Sequence, residues 1–312
     1  MSKKNIGKTF FHKKRGVFHS FFVKISYNRQ IFCNFAVRME MSIKVHNRLL
    51  DLSSPKVMAI VNLTPDSFYT SCGGWDEDRV LAQVGELLAQ GADIIDMGAC
   101  STRPNSIPVD AKEEWDRLYP LLKVVRSQFP NAILSVDTFR VEIAEKSLEL
   151  GIDIINDVSG GDNEGRMWKI IAQHRVPYVL TFAQEPPKNC VDYDYTMADM
   201  LDFFQRRLDN LHRIGVSDVI IDPGFGFAKT EQQNYAILRQ LDTISVLRVP
   251  VLVGISRKSM LYKPLEIQPS EVLPATIAAN TLALERGAHI LRVHDVVAAK
   301  QAIAIYSLTH KN

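Results

Sequence analysis

The chain has 312 residues, of which 46% are hydrophobic and 23% are charged; this is typical of a sizeable globular enzyme and excludes a fibrous or low-complexity protein. No apolar run approaches the roughly 20 residues that a membrane helix requires. We therefore expect no membrane partner. The cysteines lack the spacing of a zinc site or a disulfide framework, which favours a reducing cytoplasm: they are Cys33, Cys72, Cys100 and Cys190.

The charge is unevenly distributed, although the formal net charge is only +2. Residues 1–38 contain nine of the 37 basic residues and none of the 35 acidic ones, which leaves 28 basic residues against 35 acidic ones elsewhere. A basic segment of this kind could bind nucleic acid or anionic lipid, or it could be an organelle-targeting peptide. We favour instead a disordered tail, or a stretch upstream of a true start at Met39 or Met41. Residues 39–56 are then a lead-in, residues 57–312 form the catalytic domain, and we expect no nucleic-acid partner.

From Val57 onward, short apolar runs alternate with helical segments at even intervals, which predicts a parallel α/β fold. The runs lie near residues 57, 94, 133, 154, 178, 219, 251 and 290. The predicted helices cover residues 76–90, 111–128, 140–150, 163–174, 196–213, 230–241, 270–286 and 296–308. Eight such units in about 250 residues predict a closed (β/α)8 TIM barrel. A doubly wound open sheet is the alternative, but no Gly-x-Gly-x-x-Gly follows the first strand.

Polar motifs stand directly after most of these apolar runs. Because the carboxyl ends of parallel barrel strands converge on one face, the motifs should meet there and form an active site. In chain order they are Asn62-Leu-Thr-Pro-Asp-Ser-Phe68, Asp96 with Ser101-Thr-Arg-Pro104, Ser135-Val-Asp-Thr138, Asn156-Asp157, Asp222-Pro-Gly-Phe-Gly-Phe227, Ser256-Arg-Lys-Ser259 and Arg292-Val-His-Asp295.

The residue types in these motifs indicate the chemistry of a ligand. A carboxylate in a mostly apolar pocket is costly unless it meets donors, and a flat edge with two adjacent N–H groups supplies them. A 2-amino-4-oxo-pyrimidine ring has such an edge, and Asn156 and Lys258 can complete its pattern of donors and acceptors. Phosphate or another oxyanion suits the remaining cationic and polar residues, which are Asn62, Thr102, Arg103, Arg292 and His294.

In this order and at this spacing, the seven motifs resemble those of dihydropteroate synthases, from about Val57 to Ile305. The resemblance implies a TIM-barrel transferase, usually a homodimer. It joins 6-hydroxymethyl-7,8-dihydropterin pyrophosphate to p-aminobenzoate, and it releases pyrophosphate and 7,8-dihydropteroate. Enzymes of this family act in folate biosynthesis and are sulfonamide targets.

The resemblance also implies a role for each matching residue. The pterin would contact Asp96, Asp137, Asn156, Thr181, Asp222, Lys258 and Arg292. Pyrophosphate and Mg²⁺ would be held by Asn62, the metal ligand, together with Thr102, Arg103, Arg292 and His294. The p-aminobenzoate carboxylate would meet Ser259 at a helix N-terminus, and its ring would lie among Phe68, Pro104 and Phe227. The catalytic set is Lys258, Arg292, His294, Thr102 and Arg103.

The sequence departs from the family pattern at two of these positions. Cys100 stands where the family commonly has glutamate, and Thr181 stands where it tends to have methionine. These departures leave open a catalytically weak paralogue that binds pterin. A methyltetrahydrofolate:corrinoid methyltransferase-like enzyme is a further alternative, but it has no need of the Ser-Arg-Lys-Ser motif. Within that motif, we interpret Arg257 as a structural ion-pair partner.

Overall fold

A computed structural model of the chain describes residues 41–46, 48–63, 76–99, 110–161, 165–183 and 196–310. Within these residues, two short strands precede eight barrel strands, and the barrel strands are brief, as expected for apolar runs buried on both faces. The strands are β1 Ser42–Val45, β2 Arg48–Asp51, β3 Lys56–Asn62, β4 Ile94–Gly98, β5 Ile133–Asp137, β6 Ile154–Asp157, β7 Tyr178–Thr181, β8 Val219–Asp222, β9 Leu252–Val253 and β10 Ile290–Val293.

Eight parallel strands form the central sheet in the order β8, β7, β6, β5, β4, β3, β10, β9. The two ends of this order meet through a parallel bridge between Ile221 and Val251, and the Ile221 amide donates to Pro250 O at 2.9 Å. The sheet therefore closes on itself as a (β/α)8 barrel. The fold predicted from the sequence is confirmed, and the open doubly wound sheet is excluded.

Helices follow the barrel strands, and four of them start at a side chain that accepts a backbone N–H group. Asp76 and Asp110 cap two helices in this way, while Thr196 and Thr230 form capping boxes with Asp199 and Gln233. The helices are α1 Glu77–Ala89, α2 Ala111–Gln128, α3 Val141–Glu149, α4 Arg166–His174, α5 Met197–Arg213, α6 Glu231–Arg239, α7 Ser259–Tyr262, α8 Leu273–Glu285 and α9 Val296–Thr309, with a 3₁₀ helix at Leu241–Leu247.

These bounds agree with the predicted segments to within three residues wherever the segments are described. The start of α8 at Leu273 lies three residues after the predicted start, and beyond Arg239 the chain tightens into the 3₁₀ helix. The helix N-terminus expected at Ser259 belongs to the single-turn α7. Among the described residues, no helix is long and apolar enough to span a membrane.

Successive side chains along each strand point to opposite faces of the sheet, and this alternation divides the buried side chains into two cores. One side chain from near the start of each barrel strand faces the barrel interior, and together these eight form what we call the lower layer: Met58, Ile94, Ile133, Ile154, Val179, Ile220, Leu252 and Ile290. Their sequence neighbours, such as Val57, Ile95 and Leu291, belong to the larger core between the strands and the helices.

The hairpin of β1 and β2 closes the barrel below this lower layer. Ile43 and Val45 of the hairpin and Leu52 just after it are buried in the same cluster as the lower-layer side chains. The Lys44 amide donates to Asp218 Oδ1 at 2.8 Å, and His46 Nε2 lies 2.5 Å from Asp153 Oδ1. The segment expected to be a lead-in therefore supplies the floor of the barrel.

Candidate active site

The upper layer of the barrel interior lies two residues further along each strand. Since strand side chains alternate, these positions also face inward, and six of the eight are polar. They are Asp96, Ser135, Asn156, Thr181, Asp222 and Arg292, and the other two are Ile60 and Gly254. At Gly254, an added Cβ would lie 3.9 Å from both Asp222 Oδ2 and the Arg292 side chain. The glycine therefore leaves space between two charged groups.

Arg292 organises one half of this layer. Its Nε donates to Asp96 Oδ2 and its Nη2 donates to Asp137 Oδ2, both at 2.6 Å. Asn156 Nδ2 donates to the same Asp96 oxygen at 2.9 Å. Burial alone would lower the pKa of Arg292, but Asp96 and Asp137 outweigh that effect and raise the pKa. Four residues predicted to contact one ligand are thus joined in one hydrogen-bond network.

Several polar atoms of this layer face no protein partner. Asp96 Oδ1, Ser135 Oγ, Asn156 Oδ1 and Thr181 Oγ1 are all buried without a hydrogen-bond partner in the described part of the chain. Leaving a buried donor or acceptor unsatisfied costs about 1–3 kcal/mol, so a concentration of such atoms in one layer is characteristic of a ligand site. A flat heterocycle with donors and acceptors at its edge would satisfy them.

The loop after β8 forms the opposite half of the site. The Gly224 amide donates to Asp222 Oδ1 at 2.8 Å and fixes that carboxylate. Gly224 has φ +67°, and an added Cβ would lie 2.2 Å from Phe182 O, so only glycine fits between the β7 and β8 loops. Lys258 Nζ donates to Phe225 O and lies 4.7 Å from the centre of the Phe227 ring.

Burial favours the uncharged form of three of these groups. It raises the pKa of Asp137 to about 7 against the opposing effect of Arg292. It also raises the pKa of Asp222, against Lys258, and lowers the pKa of Lys258 to about 8, against Asp222. Buried carboxylates with raised pKa values beside an amine with a lowered pKa are a feature of functional sites.

The loops after β9 and β10 are tied to each other. Ser256 Oγ lies 3.1 Å from His294 Nδ1 and accepts from the His294 amide at 3.3 Å. Arg257 donates from Nε and Nη2 to the two carboxylate oxygens of Asp295, at 3.0 and 2.6 Å. The interpretation of Arg257 as a structural ion-pair partner is confirmed. Asp295 precedes α9 without a side-chain cap bond, so it acts mainly in this ion pair.

The remaining predicted residues lie at the rim or outside the described chain. Asn62 is exposed at the end of β3, in register with Gly98 of β4. Ser259 begins α7, but that helix is a single turn, so anion binding there depends on the hydroxyl and the backbone N–H groups more than on a helix dipole. Outside the described residues lie Phe68, Thr102, Arg103 and Pro104, together with the departure at Cys100.

Sequence reasoning did not select three residues that the structure places at the site: Ser135, Ser256 and Lys229. Strand alternation would have identified Ser135, since it precedes Asp137 by two positions. Ser256 opens a motif whose later members were selected. In the described part of the chain, the acceptors of Lys229 are backbone carbonyls, and such contacts leave no signal in the sequence.

Comparison with known proteins places this geometry in a family. Residues 58–294 match the model of the pterin binding enzyme family. A dihydropteroate synthase of Haemophilus influenzae is 34% identical over 86% of this chain and 99% of its own length. One of Synechocystis is 40% identical over 78% of this chain and 86% of its own length. This chain belongs to the dihydropteroate synthase family.

Solved structures of dihydropteroate synthases agree with this assignment. The Xanthomonas albilineans synthase with 4-aminobenzoic acid has a TM-score of 0.79 and 34% identity, covering 87% of this chain and 98% of its own. A Yersinia pestis synthase in a sulfonamide drug complex has a TM-score of 0.78 and 35% identity, covering 86% and 99%. The family predicted from the motifs is confirmed.

Proposed function

We propose that this chain is a dihydropteroate synthase that condenses 6-hydroxymethyl-7,8-dihydropterin pyrophosphate with p-aminobenzoate in folate biosynthesis. The observation that carries the proposal is the upper layer, in which ionic groups and unpaired buried polar atoms meet at the carboxyl ends of the strands. The products are 7,8-dihydropteroate and pyrophosphate. We assign the reaction to the cytoplasm, because the cysteine spacing favours a reducing compartment.

The pterin ring is assigned to the interior of the upper layer. Asp222 faces the space left by Gly254 and accepts the paired N–H groups of the 2-amino-pyrimidine edge. Asn156 Oδ1 and Thr181 Oγ1, which are buried without a partner among the described residues, complete the donor and acceptor pattern. Arg292, fixed by Asp96 and Asp137, presents its planar guanidinium to the ring and to the pyrophosphate.

The pyrophosphate is assigned to Asn62, Arg292 and His294, at the carboxyl ends of β3 and β10. Thr102 and Arg103, which lie outside the described residues, are assigned to it from the family motif. Among the described residues, no group of three or more His, Cys, Asp or Glu side chains is arranged to hold a metal. Mg²⁺ usually takes few protein ligands and shares substrate phosphates, and one exposed amide oxygen from Asn62 fits that requirement. When bound, Mg²⁺ would neutralise the charge of the leaving pyrophosphate.

The bond changes require little acid or base catalysis from the protein. The methylene carbon loses its bond to the pyrophosphate oxygen, the pterin delocalises the positive charge, and the aniline nitrogen forms the new bond and releases a proton. Arg292 and Lys258 stabilise the charges that develop, so catalysis is mainly electrostatic. We assign His294 to the phosphate and not to a base role, because the aniline nitrogen attacks a cation and needs no strong base; Ser256 orients the His294 ring at Nδ1.

The p-aminobenzoate is assigned to the side of the site formed by the β8 and β9 loops. Phe227 and the Lys258 stem contact the benzoate ring, since the Lys258 ammonium already lies 4.7 Å from the Phe227 centroid. Ser259 then lies next to Lys258 and receives the carboxylate, with Phe68 and Pro104 assigned to cover the ring.

Pyrophosphate release by residues 39–312 with dihydropterin pyrophosphate and Mg²⁺ tests the proposal. We expect release only when p-aminobenzoate is also present. A folded protein that binds the pterin and releases no pyrophosphate would instead be a binding paralogue. Transfer of a methyl group from methyltetrahydrofolate to a corrinoid would support the methyltransferase alternative.

We further propose that the enzyme is a homodimer joined through α8 and α9. These helices expose apolar side chains that a monomer leaves in water, with exposed fractions of 47% for Leu282, 48% for Val297, 62% for Ile305 and 61% for Leu308. Sedimentation should give a dimer at micromolar concentration, and Ile305→Glu should shift it toward monomer. A wild-type protein that sediments as a strict monomer would contradict this proposal.

A further inference from the structure

Lys229 follows the Gly-Phe-Gly-Phe loop after β8 and takes no direct part in the mechanism above. Its ammonium group donates to Phe182 O at 2.7 Å, to Gly224 O at 2.8 Å and to Phe227 O at 3.1 Å. It also lies 4.8 Å from the centre of the Phe182 ring. One side chain therefore joins the loop after β7 to two points of the loop after β8.

Burial lowers the pKa of Lys229 to about 7, against the opposing attraction of Asp222; in the ammonium form, its three N–H groups match the three carbonyl acceptors. A neutral amine has two such groups, and an apolar side chain has none, so either replacement leaves carbonyls of a tight turn unsatisfied. The two loops have little freedom to rearrange, because Phe182 O approaches the position of an absent Gly224 Cβ to 2.2 Å. Lys229 thus contributes three of the hydrogen bonds that hold the loops after β7 and β8 together.

The backbone of residues 222–228 carries groups assigned to both substrates. The Gly224 amide holds Asp222 at 2.8 Å, the Phe225 carbonyl accepts from Lys258, and the Phe227 ring lies below the Lys258 ammonium. Asn234 supports the same loop by accepting from the Gly226 amide at 2.7 Å, but it does not connect the loop to β7. The Phe182 amide already donates to Asp222 O at 2.8 Å, and Lys229 adds a side-chain connection through the Phe182 carbonyl.

We propose that Lys229 is a positioning residue for the p-aminobenzoate side of the active site, acting through the β8 loop on Lys258 and Phe227. The proposal rests on the proposed synthase function. It predicts that loss of Lys229 impairs p-aminobenzoate use and turnover, whereas pyrophosphate binding at the rim on Asn62 and Arg292 is preserved.

The test compares Lys229→Met and Lys229→Gln with wild type and with Lys300→Met. Lys300 is a matched control, since its ammonium donates to Asp93 Oδ2 at 2.6 Å on another part of the barrel. For Lys229→Met we expect KM for p-aminobenzoate to rise at least tenfold and kcat to fall at least tenfold. Affinity for inorganic pyrophosphate should stay within twofold. Lys229→Gln, which has two N–H donors, should show changes in KM and kcat between those of wild type and Lys229→Met. It also allows the test if the methionine variant does not fold.

Amide hydrogen exchange of the free protein provides a readout that does not need activity. Exchange should accelerate at least tenfold in residues 222–228 of the Lys229 variants and should not change there in Lys300→Met. Kinetic constants within threefold of wild type, or equal effects in Lys300→Met, would overturn the inference. A wild-type protein without synthase activity would contradict the proposed function, and the exchange data would still decide whether Lys229 orders the loop.

Discussion

At the start of the barrel strands, all eight contribute an apolar side chain to the interior, whereas two residues further on six contribute a polar one. The lower layer is covered by the β1–β2 hairpin, and the upper layer opens toward the loops. The same alternation builds both, so the change from apolar to polar takes place within single strands such as β4, from Ile94 to Asp96. Stability and chemistry are thereby assigned to different layers of one barrel.

The largest effect on turnover should come from a residue beside the upper layer. Lys258→Ala removes an ammonium group that donates to Phe225 O beside the substrates, and loss of one such electrostatic contact costs about 10²- to 10³-fold in kcat. Steady-state kinetics measures this loss. Lys263→Ala, an exposed lysine five residues further on, is the control and should retain wild-type turnover. Activity of Lys258→Ala within twofold of wild type would remove the assignment.

The lower layer should show the opposite behaviour. Leu52 is 1% exposed and packs against the lower layer, so Leu52→Ala should lower the free energy of unfolding by about 2–5 kcal/mol through lost burial and a cavity. Turnover below the unfolding range should stay the same. Leu49→Ala, in the same hairpin but 70% exposed, should change the stability by no more than about 0.5 kcal/mol. A loss of kcat in folded Leu52→Ala would contradict the assignment of stability to the lower layer and chemistry to the upper layer.

The pH dependence of pterin binding should reflect Asp137, the carboxylate that pairs with Arg292 above the upper layer. Burial raises the pKa of Asp137 to about 7, and pairing with Arg292 and the pterin requires the ionised form. Above pH 7 the group is already ionised, whereas below it a proton must be released, so affinity should fall by up to about tenfold per pH unit. Calorimetric titration between pH 5.5 and 8 measures this fall. Asp137→Asn should bind more weakly but with a reduced pH dependence; an unchanged slope would contradict the assignment.

The smallest effect is expected at Thr181, where this chain departs from its family. Its buried Oγ1 has no partner among the described residues, so Thr181→Val should stabilise the free protein while weakening pterin binding about two- to tenfold, the value of one neutral hydrogen bond. Thermal unfolding and titration measure both. In Thr138→Val, a hydroxyl that donates to Glu114 Oε1 at 2.7 Å is lost, so stability should fall. A destabilised Thr181→Val would mean that this hydroxyl is not left unpaired.

Much of the barrel could be predicted, because apolar runs, helical segments and the polar residues at strand ends are local signals. The network of Asp96, Asp137, Asn156 and Arg292 follows from strand alternation and parallel order alone. The barrel floor was not predicted, since β1 and β2 are four residues each, mix charged with apolar residues, and are stabilised by contacts with distant strands.

Contacts between loops could not be predicted for a related reason. Ser256 meets His294 from 38 positions away, and Lys229 meets Phe182 O from 47 positions away. Neither pairing has a periodic signature, because it depends on how two connections pack after the barrel has closed. The roles of Thr102, Arg103, Phe68 and Pro104 stay predictions, since these residues lie outside the described chain.

Alternation within the strands also constrains how such a gene can change in length. A single codon inserted in β4 ahead of Asp96 would turn that carboxylate from the interior to the side facing the helices, because successive side chains point to opposite faces. An insertion in a connection beyond the strand would leave the inward residues in place. We therefore expect an insertion to be tolerated better in a loop between strand and helix than within a strand, where it would change which side chains face the interior.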